Sequence, residues 1–332
     1  MKYVSTRDVR SADSKKLYSL SEGLLLGYAP DDGGLFVPHL DVASADSASP
    51  LPNLTNDFDT LRRWSKLTYL ELTVEILWLF CQSDDDGHDD DPLSRDVLLH
   101  EIVEPALSGF DIPDRPISNE GHDKDTVRVV RLYEEDKETN SETNSTSHHN
   151  LYVSELFWGP TFCFKDLGMR VTIGLLDYFT RGGADGTIQS LTLCVATTGD
   201  TGPACVQAVS DLAASVESSS DKQRRKLQSP PRSSKLGLIV HFPKGQISEL
   251  QRRQLTTATA IITTDNTKDS SSSSSRGRIR IVCYEGGGDD MDIPIKNIMT
   301  KSTPNDSDSS SSSSSSGRHV VCGVNSYKIG RP

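Results

Sequence analysis

Apolar positions along this 332-residue chain follow two different periods, and long polar runs separate the blocks. Between Phe58 and Cys81 the apolar residues Leu61, Trp64, Leu67, Leu70, Leu72, Ile76, Leu77 and Phe80 recur mostly every three or four positions. That spacing lines one face of a helix. The polar step from Ser65 to Thr68 interrupts it, which predicts two helices with a Ser or Thr capping the second. Upstream, Ser21 to Gly27 reads as a short helix closed by glycine, and Asp31 to Pro38 as a turn into an extended piece. The N-terminal part is therefore mixed and mainly helical.

The second half alternates. Ser190–Ala196, Leu236–Phe242, Ile279–Tyr284 and His319–Val324 are short and largely apolar, as strands buried on both faces are. Between them, Thr201–Val216, Ser248–Thr257 and Met291–Met299 have helical patterning, and Leu167–Phe179 precedes the first strand. This predicts an α/β fold: a parallel sheet with helices on both faces. The runs Asp84–Asp91, Lys137–Asn150 and Glu217–Ser234 and the serine tracts 270–275 and 309–316 cannot bury apolar area to offset their ordering entropy. They read as surface insertions. The acidic run lacks the spaced ligands and turn glycines of a calcium loop, so no metal is assigned to it.

Charge narrows the function. Lys plus Arg total 35 against 47 Asp plus Glu, a formal net charge of −12. An acidic chain without an extended basic patch argues against nucleic acid as a partner. No apolar run reaches the roughly 18 residues of a membrane span, and the first residues lack the apolar core of a signal peptide. A cytoplasmic protein without a membrane partner is the expectation. None of the six cysteines forms a C-x-x-C pair, and the eight histidines contain no H-E-x-x-H. Free buried thiols are expected rather than a zinc site or disulfide frame.

Two segments could carry chemistry. Ala196-Thr197-Thr198-Gly199-Asp200-Thr201-Gly202 follows a predicted strand and opens a helix. Its glycines admit a close ligand, and unpaired N–H groups at the helix start suit an anion, with Asp200 and Thr201 as caps. A ligand-free capped turn is the alternative. The second segment runs from Glu155 to Asp166. Lys165 sits there at a helix start, where a cation is electrostatically misplaced. Beside Phe162 and Phe164 it is expected to be desolvated, which frees an amine for attack on a carbonyl. A snorkelling surface lysine is the alternative.

At these residues the chain resembles the threonine synthase family. Glu155–Asp166 is similar to its E-L-x-x-G-x-T-x-A-F-K-D segment, and Thr198–Gly202 to its S-G-D-T-G loop. Tyr3–Arg7, Asp32–Phe36, Phe242–Gly245 with Ile247-Ser248, Gln254–Thr257 and Val324–Ser326 match further family stretches in the same order. Tyr3–Arg7 and Met291–Lys296 are most similar to the threonine synthase-like 2 branch. The resemblance implies a type II pyridoxal-phosphate fold with an N-terminal threonine synthase domain (1–105) and a pyridoxal-phosphate-dependent α/β domain (106–332) bearing the serine-rich insertions. It implies pyridoxal 5'-phosphate held as an imine on Lys165, the catalytic lysine. Thr198, Gly199, Asp200, Thr201 and Gly202 would lie against the cofactor, and Thr198, Thr201, Asn325 and Ser326 against the substrate. The implied activity is a phospho-lyase acting on a small phosphorylated amino acid, O-phosphohomoserine or phosphothreonine.

The resemblance stops at Ser326. The family continues with a long remainder that holds its phosphate-binding glycine loop, whereas here the chain reads Tyr327 to Pro332. Glu285–Asp289 is glycine-rich, but its flanking acids would repel phosphate, so it reads as a turn. A fragment or incomplete gene model is therefore expected, with weak cofactor binding and slow or no turnover. The rival functions are a catalytically inactive remnant that binds a partner or anion, and a dehydratase of the same fold, against which Tyr3–Arg7 and Asp32–Phe36 argue.

Overall fold

The computed structural model describes residues 1–10, 14–31, 34–39, 57–81, 93–110, 126–131, 151–182, 188–218, 236–264, 279–287 and 318–325. The acidic run, the 137–150 linker, both serine tracts, Asp32-Gly33 and the helix expected over Met291–Met299 lie outside the described residues.

Strands β1 (Tyr3–Ser5) and β2 (Phe36–Pro38) pair antiparallel around helix α1 (Leu20–Leu26). Ser19 and Glu22 form a reciprocal capping box at the start of α1, and Gly27 ends it at φ 71°, where a side chain would be strained. The 58–81 block is two helices, α2 (Phe58–Trp64) and α3 (Tyr69–Cys81). The residue that restarts the helix is Thr68: its Oγ1 accepts from the Glu71 N–H at 3.3 Å, and its own N–H donates to Glu71 Oε2 at 2.8 Å. Next come a single turn α4 (Arg95–Val97), a π-helical stretch over Leu98–Val103, and α5 (Glu104–Leu107). Strands β3 (Arg128–Arg131) and β4 (Tyr152–Glu155) form an antiparallel ribbon leading into α6 (Lys165–Gly182).

The remaining elements form a parallel sheet: β5 (Ile188–Ala196), α7 (Thr201–Ser218), β6 (Leu236–Pro243), α8 (Glu249–Thr264), β7 (Ile279–Tyr284) and β8 (Arg318–Asn325), with strand order β7-β6-β5-β8. All its strand pairs are parallel. The strand alternation splits β5 between two faces. Leu191, Leu193 and Val195 join Leu238, Val240, Ile173, Leu176, Cys205, Val206 and Leu255 in one core, so α6, α7 and α8 all contribute to it. Cys194 and Ala196 point the other way and pack with Ile239, Tyr284 and Tyr28. Each such fully buried Leu contributes about 1.5–3 kcal/mol, so the sheet is a rigid platform.

Helix α6 has two apolar sides. Ile173 and Leu176 face the sheet core, whereas Val171, Leu175, Tyr178 and Phe179 pack with Val74, Leu98, Ile102, Val103 and Leu107. The break expected between residues 105 and 106 falls inside α5, whose Ala106 and Leu107 belong to this second core. Charges are buried in the same seam. Arg181, with 1% of its side chain exposed, meets Asp177 Oδ2 at 2.9 Å and Glu101 Oε2 at 3.4 Å. Arg170 donates to the Ala106 carbonyl and pairs with Asp211 of α7. Both arginines fix how α6 sits, and α6 begins with Lys165.

Candidate active site

The turn before Lys165 is wound around one carboxylate. Asp166 is fully buried and accepts from the Thr161 N–H at 2.8 Å and from Thr161 Oγ1 at 2.7 Å. Burial pushes its pKa up, opposed by the two Thr161 bonds and the charge of Arg170. The winding needs Gly159, because a Cβ there would stand 2.5 Å from Asp166 Oδ2. It also forces Phe162 to φ 62°, a backbone region bulky residues rarely enter. The result is that Lys165 leaves the turn pointing toward the adjacent βα loop: its Nζ donates to Thr201 Oγ1 at 2.7 Å. Residues 36 positions apart in the chain are thereby brought into contact.

The expectation that Phe162 and Phe164 desolvate Lys165 is corrected. Phe162 and Phe164 are 70% and 58% exposed, and Nζ is 5.9 Å from the Phe164 centroid. Strain at Phe162 turns that ring outward. On the inner side lies Cys205, a buried thiol pushed up by burial, with the Lys165 charge acting in the opposite direction.

The Thr198–Gly202 loop lies at the carboxyl end of β5, where open parallel sheets bind ligands. Thr198, Gly199 and Asp200 are half-buried. The group that shapes the loop is Thr197, fully buried: its hydroxyl accepts from the N–H groups of Gly199 at 3.0 Å and Gly202 at 3.3 Å, and donates to the Gly199 carbonyl at 2.9 Å. The capping role expected of Asp200 and Thr201 is therefore shared out differently. The Gly202 N–H goes to Thr197, Thr201 holds Lys165, and Asp200 Oδ1 accepts from Gln251 Nε2 at 2.6 Å.

Gly202 is where α7 comes closest to the sheet. A Cβ there would stand 2.7 Å from Thr197 Cγ2 and 3.0 Å from Val240 Cγ1. Gly202→Ala is expected to destabilise the fold by about 1–3 kcal/mol through overpacking. Urea denaturation checks this; a loss below about 0.5 kcal/mol would mean that α7 can retreat freely.

By backbone register Asn325 of β8 stands beside Ala196, at the same end of the sheet as the loop; Ser326 lies outside the described residues. The segment after β7 is a turn, with Glu285 held by Lys244 at 2.7 Å and the Tyr284 hydroxyl donating to the Gly287 carbonyl at 3.1 Å. Among the described residues no helix is long and apolar enough to cross a membrane. Thr197, Thr161, Gln251 and Gln254 carry the geometry; they lie in segments the sequence singled out, yet none was expected at the site. Only the Thr197-Thr198 doublet before a glycine hinted at a loop-binding hydroxyl, and it does not say which threonine faces inward.

The fold that brings Lys165 to the glycine loop is shared with solved threonine synthases. The crystal structure of threonine synthase from yeast matches 98% of this chain and 46% of its own length, with a TM-score of 0.55 and 22% identity. The pyridoxal-phosphate-bound threonine synthase from Brucella melitensis matches at a TM-score of 0.54, again 22% identical, covering 98% of this chain and 48% of its own. Residues 2–92 match the family model described as threonine synthase N terminus. Human threonine synthase-like 2 is 27% identical over 298 residues, 90% of this chain and 42% of its own length. Yeast threonine synthase is 27% identical over 259 residues, 77% of this chain and 37% of its own. The chain thus spans about two-fifths of the length of the curated relatives it matches. The resemblance to the threonine synthase family is borne out across most of this chain, with threonine synthase-like 2 among its relatives.

Proposed function

We propose that this chain carries the lysine-bearing part of a pyridoxal-phosphate-dependent phospho-lyase of the threonine synthase type, acting on O-phosphohomoserine or phosphothreonine. The observation that supports it most is the Lys165 Nζ–Thr201 Oγ1 bond of 2.7 Å, which joins the two motifs at the carboxyl end of the sheet. The residues fit the cofactor chemically. A primary amine stands at the site and faces the half-buried glycine loop, whereas the first turn of α7 offers few donors: the Gly202 and Ala204 N–H groups go to Thr197 Oγ1 and the Asp200 carbonyl, and Pro203 has none. Lys165 would hold the cofactor covalently, with Thr198 to Gly202 against it. Asn325, whose backbone is in register with Ala196 at the same end of the sheet, would contribute to the substrate side.

When bound, pyridoxal phosphate supplies an electron sink for the charge that develops at the substrate Cα. Lys165 provides the amine that moves protons at Cα and Cβ, and Thr201 fixes where that amine stands. Asp166 acts through the backbone: by gathering both Thr161 donors it sets the turn that aims Lys165. A cytoplasmic location belongs to the same reading.

The test is incubation of the chain with pyridoxal phosphate, reduction by borohydride and peptide mapping, followed by phosphate release from each of the two substrates. A weak visible absorption band and label on Lys165 are expected, with phosphate release slow or absent in the chain as it stands and recovered when a family-like distal segment is restored. Label on a different lysine would refute the assignment, and no release from either substrate after that restoration would refute the reaction.

A further inference from the structure

Gln251 and Gln254 stand on one face of α8, three residues apart, with the buried Leu255 beside them. Their neighbours Arg252 and Arg253 turn to solvent and pair with Glu249. Each glutamine reaches a different half of the candidate site. Gln251 Nε2 donates to Asp200 Oδ1 in the glycine loop at 2.6 Å, and Gln254 Nε2 donates to the Thr161 carbonyl in the wound turn at 3.1 Å. Thr161 is also the residue that holds Asp166.

The Gln251 amide has no freedom to flip. Its Oε1 accepts from the Ser248 N–H at 2.8 Å, while Ser248 Oγ accepts from the Gln251 N–H at 3.2 Å. Exchanging oxygen for nitrogen would set donor against donor and acceptor against acceptor. The helix cap therefore orients the amide, and the amide orients the loop. Gly199 fits under this contact, since a Cβ there would lie 3.3 Å from Gln251 Nε2. The connections close a ring: α8 to the wound turn, the turn to Lys165, Lys165 to Thr201, and the glycine loop back to α8.

We infer that Gln251 and Gln254 are positioning residues, a two-point clamp by which α8 sets the separation between the Lys165 turn and the glycine loop. The functional consequence rests on the reading that Lys165 is the amine that takes up pyridoxal phosphate; the clamp itself does not.

Gln251→Glu separates this role from helix stability. Glu serves equally well as the capping-box partner of Ser248, but it places a carboxylate against Asp200. The Gln251→Glu chain is expected to melt within about 2 °C of the parent. Amide exchange in residues 199–202 should rise at least about tenfold, because the lost bond is to a charged group. The rate of borohydride-trapped pyridoxal phosphate on Lys165 should fall by a similar factor. The exchanged pair Gln251→Glu with Asp200→Asn offers an Asn amide to the Glu carboxylate and should restore slow exchange. Gln254→Met is the second variant, removing the donor to Thr161 and speeding exchange in residues 159–164; it carries the test if Gln251→Glu fails to fold.

Parent-like exchange in Gln251→Glu and in Gln254→Met would overturn the clamp, as would failure of the exchanged pair to restore slow exchange. If exchange behaves as expected but the parent chain traps no cofactor on Lys165, the clamp stands and the assignment of Lys165 falls.

Discussion

Lys165→Ala is expected to abolish the visible absorption with pyridoxal phosphate and all borohydride-fixed label in the peptide spanning α6, while leaving the fold intact. The chemistry needs a primary amine at that point, and alanine has none. The fold does not need it. Lys165 opens a helix, where its charge opposes the helix dipole by a few tenths of a kcal/mol. Its hydrogen bond to the half-exposed site is worth about 0.5–1.5 kcal/mol. These effects oppose each other, so denaturation should shift by no more than about 1 kcal/mol. Loss of label in a chain that unfolds like the parent would therefore report chemistry. Retained label in the variant, on any lysine, would show that the site lies elsewhere.

The largest stability effect is expected at the other end of the same helix. Arg181 is 1% exposed, between Asp177 at 4% and Glu101 at 3%. Met matches the arginine stem but removes the charge, leaving two carboxylates in a seam lined by Leu98, Ile102 and Tyr178. Breaking a buried pair from one side costs about 3–5 kcal/mol. That is a large part of the 5–15 kcal/mol that holds a typical domain. Arg181→Met should accordingly lower the urea midpoint sharply or prevent accumulation of folded protein. A loss under about 1 kcal/mol would mean that water reaches these carboxylates.

Only the first of these effects is visible at the level of pattern. Lys165 is conspicuous in sequence because its aromatic surroundings and its place at a helix start are local facts. What those surroundings do is not local: Phe162 and Phe164 adjoin the lysine in the chain and yet point to solvent, because Asp166 winds the turn and throws Phe162 to positive φ. Arg181 looks like an ordinary basic residue in the last turn of a helix. Its burial depends on Glu101, 80 positions away.

The sequence by itself determined the sheet elements and the longer helices, though not the β3–β4 ribbon or the helical turns over Arg95–Leu107. Hydrophobic period separated α2 from α3 at Ser65–Thr68, set Ile279–Tyr284 as a strand, and alternated strand with helix so that a parallel sheet followed. These outcomes depend on neighbours within a turn or two, which the chain lists in order. It also placed Lys165 and the Thr198–Gly202 loop at helix starts, because capping chemistry and glycines are local signals. Only the tertiary structure decided which side chains meet there. Thr197 rather than Thr198 faces inward because β5 alternates its sides and Ala196 turns to the other face. Gln251 and Gln254 reach the site because α8 packs its Leu255 face under α7. Such pairings depend on register and helix rotation, which are set by the whole core at once, so no single stretch of sequence contains them.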